Sequence, residues 1–201
     1  MNALGDADPT SALAQLANAR YASEPQSTLA LSDTGTTLPP SEALTVLTSL
    51  AEVRTAVNTA AASAQRLISI HTPDLEPDLY DQTAFLDIIK HFVLARSFSK
   101  VRVLLTEPVR AMRDSNRFVA MGRRLSSCID IRYAATQGTA PRASAYLIAD
   151  DRAIVYRMRA DTWEGIADFN NPPVARLYLN EFDALWNASM PEHGLRVARR
   201  G

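Results

Sequence analysis

Three short apolar runs, set about thirty residues apart and separated by stretches of helical period, limit most what this chain can fold into. They are Leu67-Ile-Ser-Ile70, Val101-Arg-Val-Leu-Leu105 and Ile129-Asp-Ile-Arg-Tyr133. Each has the length of a strand, falls short of a stable helix and is rich in β-branched or bulky apolar residues. Ahead of the first, Leu50, Val53, Val57, Ala60, Ala61 and Ala64 recur at helical spacing, with Glu52, Arg54 and Asn58 on the opposite face. Between the first two, Asp81 is the expected N-cap of a helix whose inner stripe is Phe85, Ile88, Ile89, Phe92 and Ala95. Between the second and third, Glu107-Pro108 is expected to open a longer helix reaching about Leu125. Strands that alternate with helices pair in parallel and are covered on both faces.

The second half changes pattern. Tyr146 to Ala149 and Ala153 to Met158 read as two strands joined by a tight turn at Asp150-Asp151-Arg152. Asn171-Pro172-Pro173 supplies an N-cap and N1 proline for a last helix with Val174, Tyr178, Phe182, Leu185 and Trp186 inside. The expected class is α/β, with a mixed, mainly parallel sheet and helices on both faces. Residues 43–190 form the expected domain. Residues 1–42, rich in Ala, Ser, Thr and Pro, are expected to be a disordered or weakly helical tail, and 191–201 a C-terminal tail.

Composition removes several functions. The formal net charge of -1 supplies no global field toward nucleic acid or an anionic membrane, so nucleic acid is not an expected partner. Cys128 is the only cysteine, which excludes an intramolecular disulfide or a cysteine-rich metal site. The N-terminus has no signal-peptide pattern, and no apolar run approaches the roughly 20 residues of a membrane span. A cytoplasmic location without cofactor or metal is the expectation. The acids Asp74, Glu76, Asp78, Asp81 and Asp87 match no calcium-loop spacing and are better explained as complements to a helix N-terminus.

Three other features are candidates. Arg110, Arg113, Arg117 and Arg124 would share one face of the third helix, a basic stripe able to hold a phosphate backbone. Interleaved Glu107 and Asp114 favour an ordinary solvated face instead. His71 ends a central strand, where sites in open α/β sheets gather. His91 lies on a helix and His193 in the C-terminal tail. Trp163-Glu164-Gly165 with Asp168-Phe169 either closes a pocket or plugs a cleft.

The helix before Leu67, the strand ending in His71-Thr-Pro-Asp-Leu75, the arginine-bearing strand at Val101 and the closing Phe182-Asp-Ala-Leu-Trp186 resemble a single repeat of the phospholipase D superfamily. More narrowly, Thr72 to Asp81, Gly122 to Ser127 and Trp163 to Phe169 resemble an uncharacterised proteobacterial family of phospholipase D-like domains, some fused to acetyltransferases. The superfamily motif is His-x-Lys-x-x-x-x-Asp, in which histidine attacks phosphorus and lysine neutralises phosphate oxygens. Overlaid here, it falls on Ser144, Tyr146 and Asp151, so only the aspartate matches. The resemblance implies the architecture together with a degenerate active site, hence no catalytic residues. A ligand pocket at that place would involve His71, Ser144, Tyr146, Asp151, Trp163 and Glu164. The expected role is a non-catalytic module that binds a small ligand or protein partner, paired as a homodimer because such repeats come in twos. The alternatives are a phosphodiesterase or nuclease with its nucleophile moved to His71, and a nucleic-acid backbone binder using the arginine-bearing helix.

Overall fold

The computed structural model describes residues 44–107, 116–134 and 144–191. Among these, eight strands form one sheet in the order β1-β7-β6-β5-β2-β3-β4-β8. In chain order the elements are β1 (Thr45–Leu47), α1 (Leu50–Ser63), β2 (Leu67–Thr72), α2 (Pro77–Tyr80), α3 (Thr83–Ala95), β3 (Lys100–Leu105) and α4 (Arg117–Arg124). They continue with β4 (Ile129–Tyr133), β5 (Ala145–Ala149), β6 (Ala153–Arg157), β7 (Gly165–Asp168), α5 (Pro172–Asn187) and β8 (Met190–Pro191).

The mixed α/β architecture is as expected, but the balance of pairing is not. Only β2–β3 and β3–β4 are parallel. The pairings β1–β7, β2–β5, β4–β8, β5–β6 and β6–β7 are antiparallel. The βαβ units generate the parallel centre, whereas the hairpin is inserted beside β2 and the short β7 and β1 extend it outward. Segments of two to four residues such as β1, β7 and β8 carry too few side chains for a period to show.

Strand alternation divides the domain into two cores. Ile68, Ile70, Val101, Val103, Ile129, Ile131, Leu147 and Val155 face α1 to α4. Leu104, Tyr146, Ile148, Ile154 and Tyr156 face α5, which supplies Val174, Ala175, Tyr178, Phe182 and Trp186. Leu185, expected inside, lies at the outer edge of α5 and is exposed.

Local signals explain most helix starts. Ser49 caps α1 by accepting from the Glu52 N–H, while the Glu52 carboxylate accepts from the Ser49 N–H, a reciprocal capping box. Asn171 caps α5 ahead of Pro172 as expected. Two starts differ. Gln82, not Asp81, precedes α3, and the Asp81 carboxylate instead accepts from Arg117 Nε at 2.9 Å. The helix carrying Arg117 and Arg124 begins only at Arg117, after an extended Asn116 whose side chain accepts from the Phe118 and Val119 N–H groups. The helix expected to run from Glu107-Pro108 to about Leu125 is thus interrupted at Asn116, and its first part, residues 108–115, lies outside the described residues.

The β5–β6 turn is held by its first residue. Asp150 has φ 55°, in the left-handed region that aspartate tolerates better than most side chains. Its carboxylate accepts from the backbone N–H groups of Gln65, Arg66 and Leu67 at 2.8–2.9 Å, joining the end of β5 to the start of β2. Asp150→Ala should destabilise the domain by about 2 kcal/mol or more, through lost charge-assisted bonds and the strained φ. Asp150→Asn keeps the turn and an acceptor and should cost about half as much. Urea unfolding of both variants checks the ranking, and equal loss in the two would contradict it.

Candidate functional site

β2 ends at the C-terminal edge of the parallel strands, where crevices of open α/β sheets form. Pairing with β5 sets His71 directly opposite Tyr146. Residues opposite each other on neighbouring strands share a face, and the two rings stack with centroids 4.8 Å apart and 19° between planes. Tyr146 also meets Tyr178 of α5 edge-on at 5.6 Å, and Tyr156 lies 6.3 Å from Tyr146 and 5.0 Å from Tyr178. His71 is 5% and Tyr146 2% exposed, so the group is packed interior. The Tyr146 hydroxyl has no hydrogen-bond partner among the described residues.

The remaining contact of His71 fixes its chemistry. Its Nδ1 lies 2.9 Å from the carbonyl oxygen of Ser144. A carbonyl only accepts, so Nδ1 carries the proton and Nε2 keeps its lone pair. Burial lowers the imidazole pKa to about 4, with the carbonyl hydrogen bond opposing only in part. Burial likewise pushes the Tyr146 phenol upward, so both rings are neutral at physiological pH.

His71, Ser144 and Tyr146 therefore come together as the sequence suggested, but the other expected pocket residues do not join them. Asp151 sits in the turn at the far end of β5, exposed, where its carboxylate pairs with Arg176 at 2.8 Å. Those hydrogen bonds, chiefly, hold its pKa below the ordinary value. Trp163 lies on the opposite face of the sheet, packed on the core under α1 to α4. Alternation along β6 is the reason: Tyr156 points toward α5, so Arg157 points away, and Trp163 stacks on Arg157 at 5.1 Å. Glu164 is exposed.

Arg157 is the functional-looking group that sequence reasoning missed. It is buried and pairs with Glu76 in a two-oxygen contact at 2.5 and 2.6 Å. Arg157 further donates to the carbonyls of Ala160 and Thr162, and Thr72 donates its hydroxyl to Glu76 at 3.0 Å. Burial raises the Glu76 carboxyl above its usual range despite the adjacent guanidinium. The Trp163-Glu164-Gly165 stretch closes over this pair. A Cβ at Gly165 would meet the Tyr156 carbonyl oxygen at 2.5 Å and Arg157 Cγ at 2.8 Å, so the strand passes only with glycine there. An arginine in line with inward-facing Ala153 and Val155 was the available signal.

Arg110 and Arg113 lie outside the described residues. Arg117 is engaged with Asp81 and Thr83, and Arg124 is exposed at the end of α4. The acids disperse as well: Glu76 is paired in the interior, Asp81 holds Arg117, and Asp78 stands in the first turn of α2. Among the described residues no cluster of His, Cys, Asp or Glu could hold a metal ion, and no helix is long and apolar enough to cross a membrane. Cys128 is half-buried against the core ahead of β4, and exposed His91 donates Nδ1–H to the Asp87 carbonyl. His193 lies outside the described residues.

A family model described as a domain of unknown function, DUF7931, matches residues 49–197. The chain belongs to the DUF7931 family. Among solved structures, this DUF7931 domain resembles Nuc, a phospholipase D family member from Salmonella typhimurium, with TM-score 0.53 and 17% identity over 74% of this chain and 97% of that one. NucT from Helicobacter pylori gives TM-score 0.50 and 12% identity over the same shares. TrmBL2, an archaeal chromatin protein, gives 0.57 and 14% over 90% of this chain and 62% of its own. The fold is therefore phospholipase D-like. No match is found among curated protein sequences.

The environment of His71 makes stability depend on pH. Its folded pKa, about 4, lies below the ordinary 6.5, so the unfolded chain binds the extra proton between those values. This contribution is fully present above pH 6.5 and is lost as pH falls toward 4. The full difference corresponds to about 3 kcal/mol. Urea unfolding at neutral pH and near pH 4 should show a smaller loss for His71→Phe than for the wild-type chain. Equal losses would refute the assignment.

Proposed function

We propose that this DUF7931 domain is a non-catalytic phospholipase D-like module that works by binding a ligand or partner. The observation that carries this reading is the packing of Tyr146. The resemblance puts the phosphate-neutralising lysine of active members at this position, and here a neutral phenol is sealed among His71, Tyr156 and Tyr178. A buried tyrosine supplies no positive charge to develop against a phosphate oxygen. Ser144 has no histidine aligned as its base: the nearby imidazole directs its proton to the Ser144 carbonyl, not its lone pair to the hydroxyl. Asp151, the matching motif residue, is an exposed turn carboxylate paired with Arg176.

One observation favours a second reading, a phosphodiesterase with His71 as nucleophile. The Ser144 carbonyl leaves His71 Nε2 unprotonated at neutral pH, the form a nucleophile requires. Burial opposes it, since the nitrogen must reach phosphorus in line with the leaving oxygen. Pairing into a homodimer remains part of the proposal, because a lone repeat leaves a face for a second copy.

Incubation of the full chain with bis-para-nitrophenyl phosphate should release no nitrophenolate above the uncatalysed rate, and His71→Ala should behave identically. Turnover that disappears in His71→Ala would overturn the non-catalytic reading in favour of the second.

A further inference from the structure

The end of the sheet remote from His71 carries a different surface. Five residues of extended chain separate Arg66 from His71, about 15 Å. There the start of β2, the α3–β3 connection and the start of β3 enclose an open cavity of about 540 Å³. Its lining is Gln65, Arg66, Leu67, Arg96, Phe98 and Lys100. That volume lies within the roughly 300–1,000 Å³ of small-ligand sites.

Three cations converge on this cavity, and no acid lines it. Arg96 donates to the Gln65 carbonyl at 3.3 Å and Lys100 to the Ser127 carbonyl at 2.6 Å. These acceptors orient the side chains without neutralising them. Among the described residues, Arg66, Arg96 and Lys100 enter no ion pair, whereas Arg102, Arg117, Arg132, Arg157, Arg159 and Arg176 each do. The nearby Asp150 carboxylate is turned onto the backbone N–H groups of Gln65, Arg66 and Leu67. Like charges held together in the absence of a counter-charge repel, and an anion at their centre relieves that repulsion.

Phe98 adds an aromatic surface. It lies in the turn after α3, lines the same cavity and is 58% exposed, with Leu94 near the end of α3 also exposed. A ring beside unneutralised arginines suits a ligand with both a phosphate and a flat heterocycle: the ring stacks and the fork-shaped donors take the oxygens. The net charge of -1 argues against attraction to a bulk anionic surface, and a concave site favours an inserted ligand over a lipid plane.

We infer that the Arg66–Arg96–Lys100–Phe98 cavity binds a nucleotide unit, phosphate on the cations and base on Phe98. This deepens the proposed binding role and rests on it. The unit could come from a free mononucleotide or from a strand of single-stranded nucleic acid, and the experiment separates the two.

The test is fluorescence anisotropy of the full chain with a labelled single-stranded DNA of about ten nucleotides and, separately, with labelled AMP, each challenged with unlabelled AMP, inorganic pyrophosphate and anionic phosphatidylserine vesicles. Binding should weaken with salt, and Arg66→Glu and Arg96→Glu should each lower affinity at least about tenfold. Phe98→Ala should lower it about tenfold without altering the salt slope. Competition by AMP supports a mononucleotide site, and binding without AMP competition supports a strand. Three results would overturn the inference: no binding of either probe, binding indifferent to Arg66→Glu and Phe98→Ala, or displacement by pyrophosphate or vesicles as effective as by AMP. The oligonucleotide is also run on a gel. Cleavage lost in His71→Ala would sink the non-catalytic reading alone, and an intact strand with neither probe bound would sink the cavity inference alone. Arg66, Arg96 and Phe98 lie at exposed positions, and every variant, the buried His71→Ala included, is checked for folding by circular dichroism.

Discussion

Everything in this domain is arranged about the seam between β2 and β5. β2 pairs in parallel with β3 on one side and antiparallel with β5, the first strand of the hairpin, on the other. Side chains fasten the seam at both ends: Asp150 binds the N–H groups that lead into β2, and His71 binds the Ser144 carbonyl that leads into β5. Register is thereby fixed, and a slip of one residue would exchange every inward and outward side chain. With this register, His71 must lie on Tyr146 and both must lie under α5.

The same register explains why one face is almost purely apolar and the other mixed. Toward α1 to α4 the central strands present Ile68, Ile70, Val101 and Val103. Toward α5 they present Ser69, His71 and Arg102, and α5 answers with matching chemistry. Asp183 takes Arg102 at 2.7 Å, and Trp186 lies under Arg102 and Arg132 at 5.5 and 4.3 Å. Polar groups at that interface are accommodated by pairing and by ring faces. A buried charge elsewhere, Arg157, is met by Glu76 and capped by Trp163. Removing one partner of such a buried pair typically costs about 3–5 kcal/mol, which is reason enough for an unusual tryptophan-glycine stretch beside it.

Legibility in the sequence followed the range of the interactions. The central strands and the helices over β2 showed because their periodicity repeats over many residues, and Asn171-Pro172 marked α5 through contacts three residues away. The short strands β1, β7 and β8 did not show, being too short for any period. Asp81 was misread because a residue 36 positions later, Arg117, claims its carboxylate. The grouping of Trp163 and Asp151 with Tyr146 came from overlaying the superfamily motif, which fixes positions along the chain and not in space. Alternation sends Trp163 to the other face, and strand length carries Asp151 to the other end. The Arg66–Arg96–Lys100 cluster was illegible because three separate segments build it.

The account stands on His71 being a sealed, neutral imidazole bonded to the backbone. Nitrogen-15 NMR of histidine-labelled protein reads this directly from the ring shifts across a pH series. The account predicts that His71 shows a protonated Nδ1 and an unprotonated Nε2 from neutral pH downward, titrating only near 4, and that added vanadate leaves it unchanged. Titration near the ordinary 6.5, or a His71 shift on binding vanadate, would show an open and reactive site and contradict it.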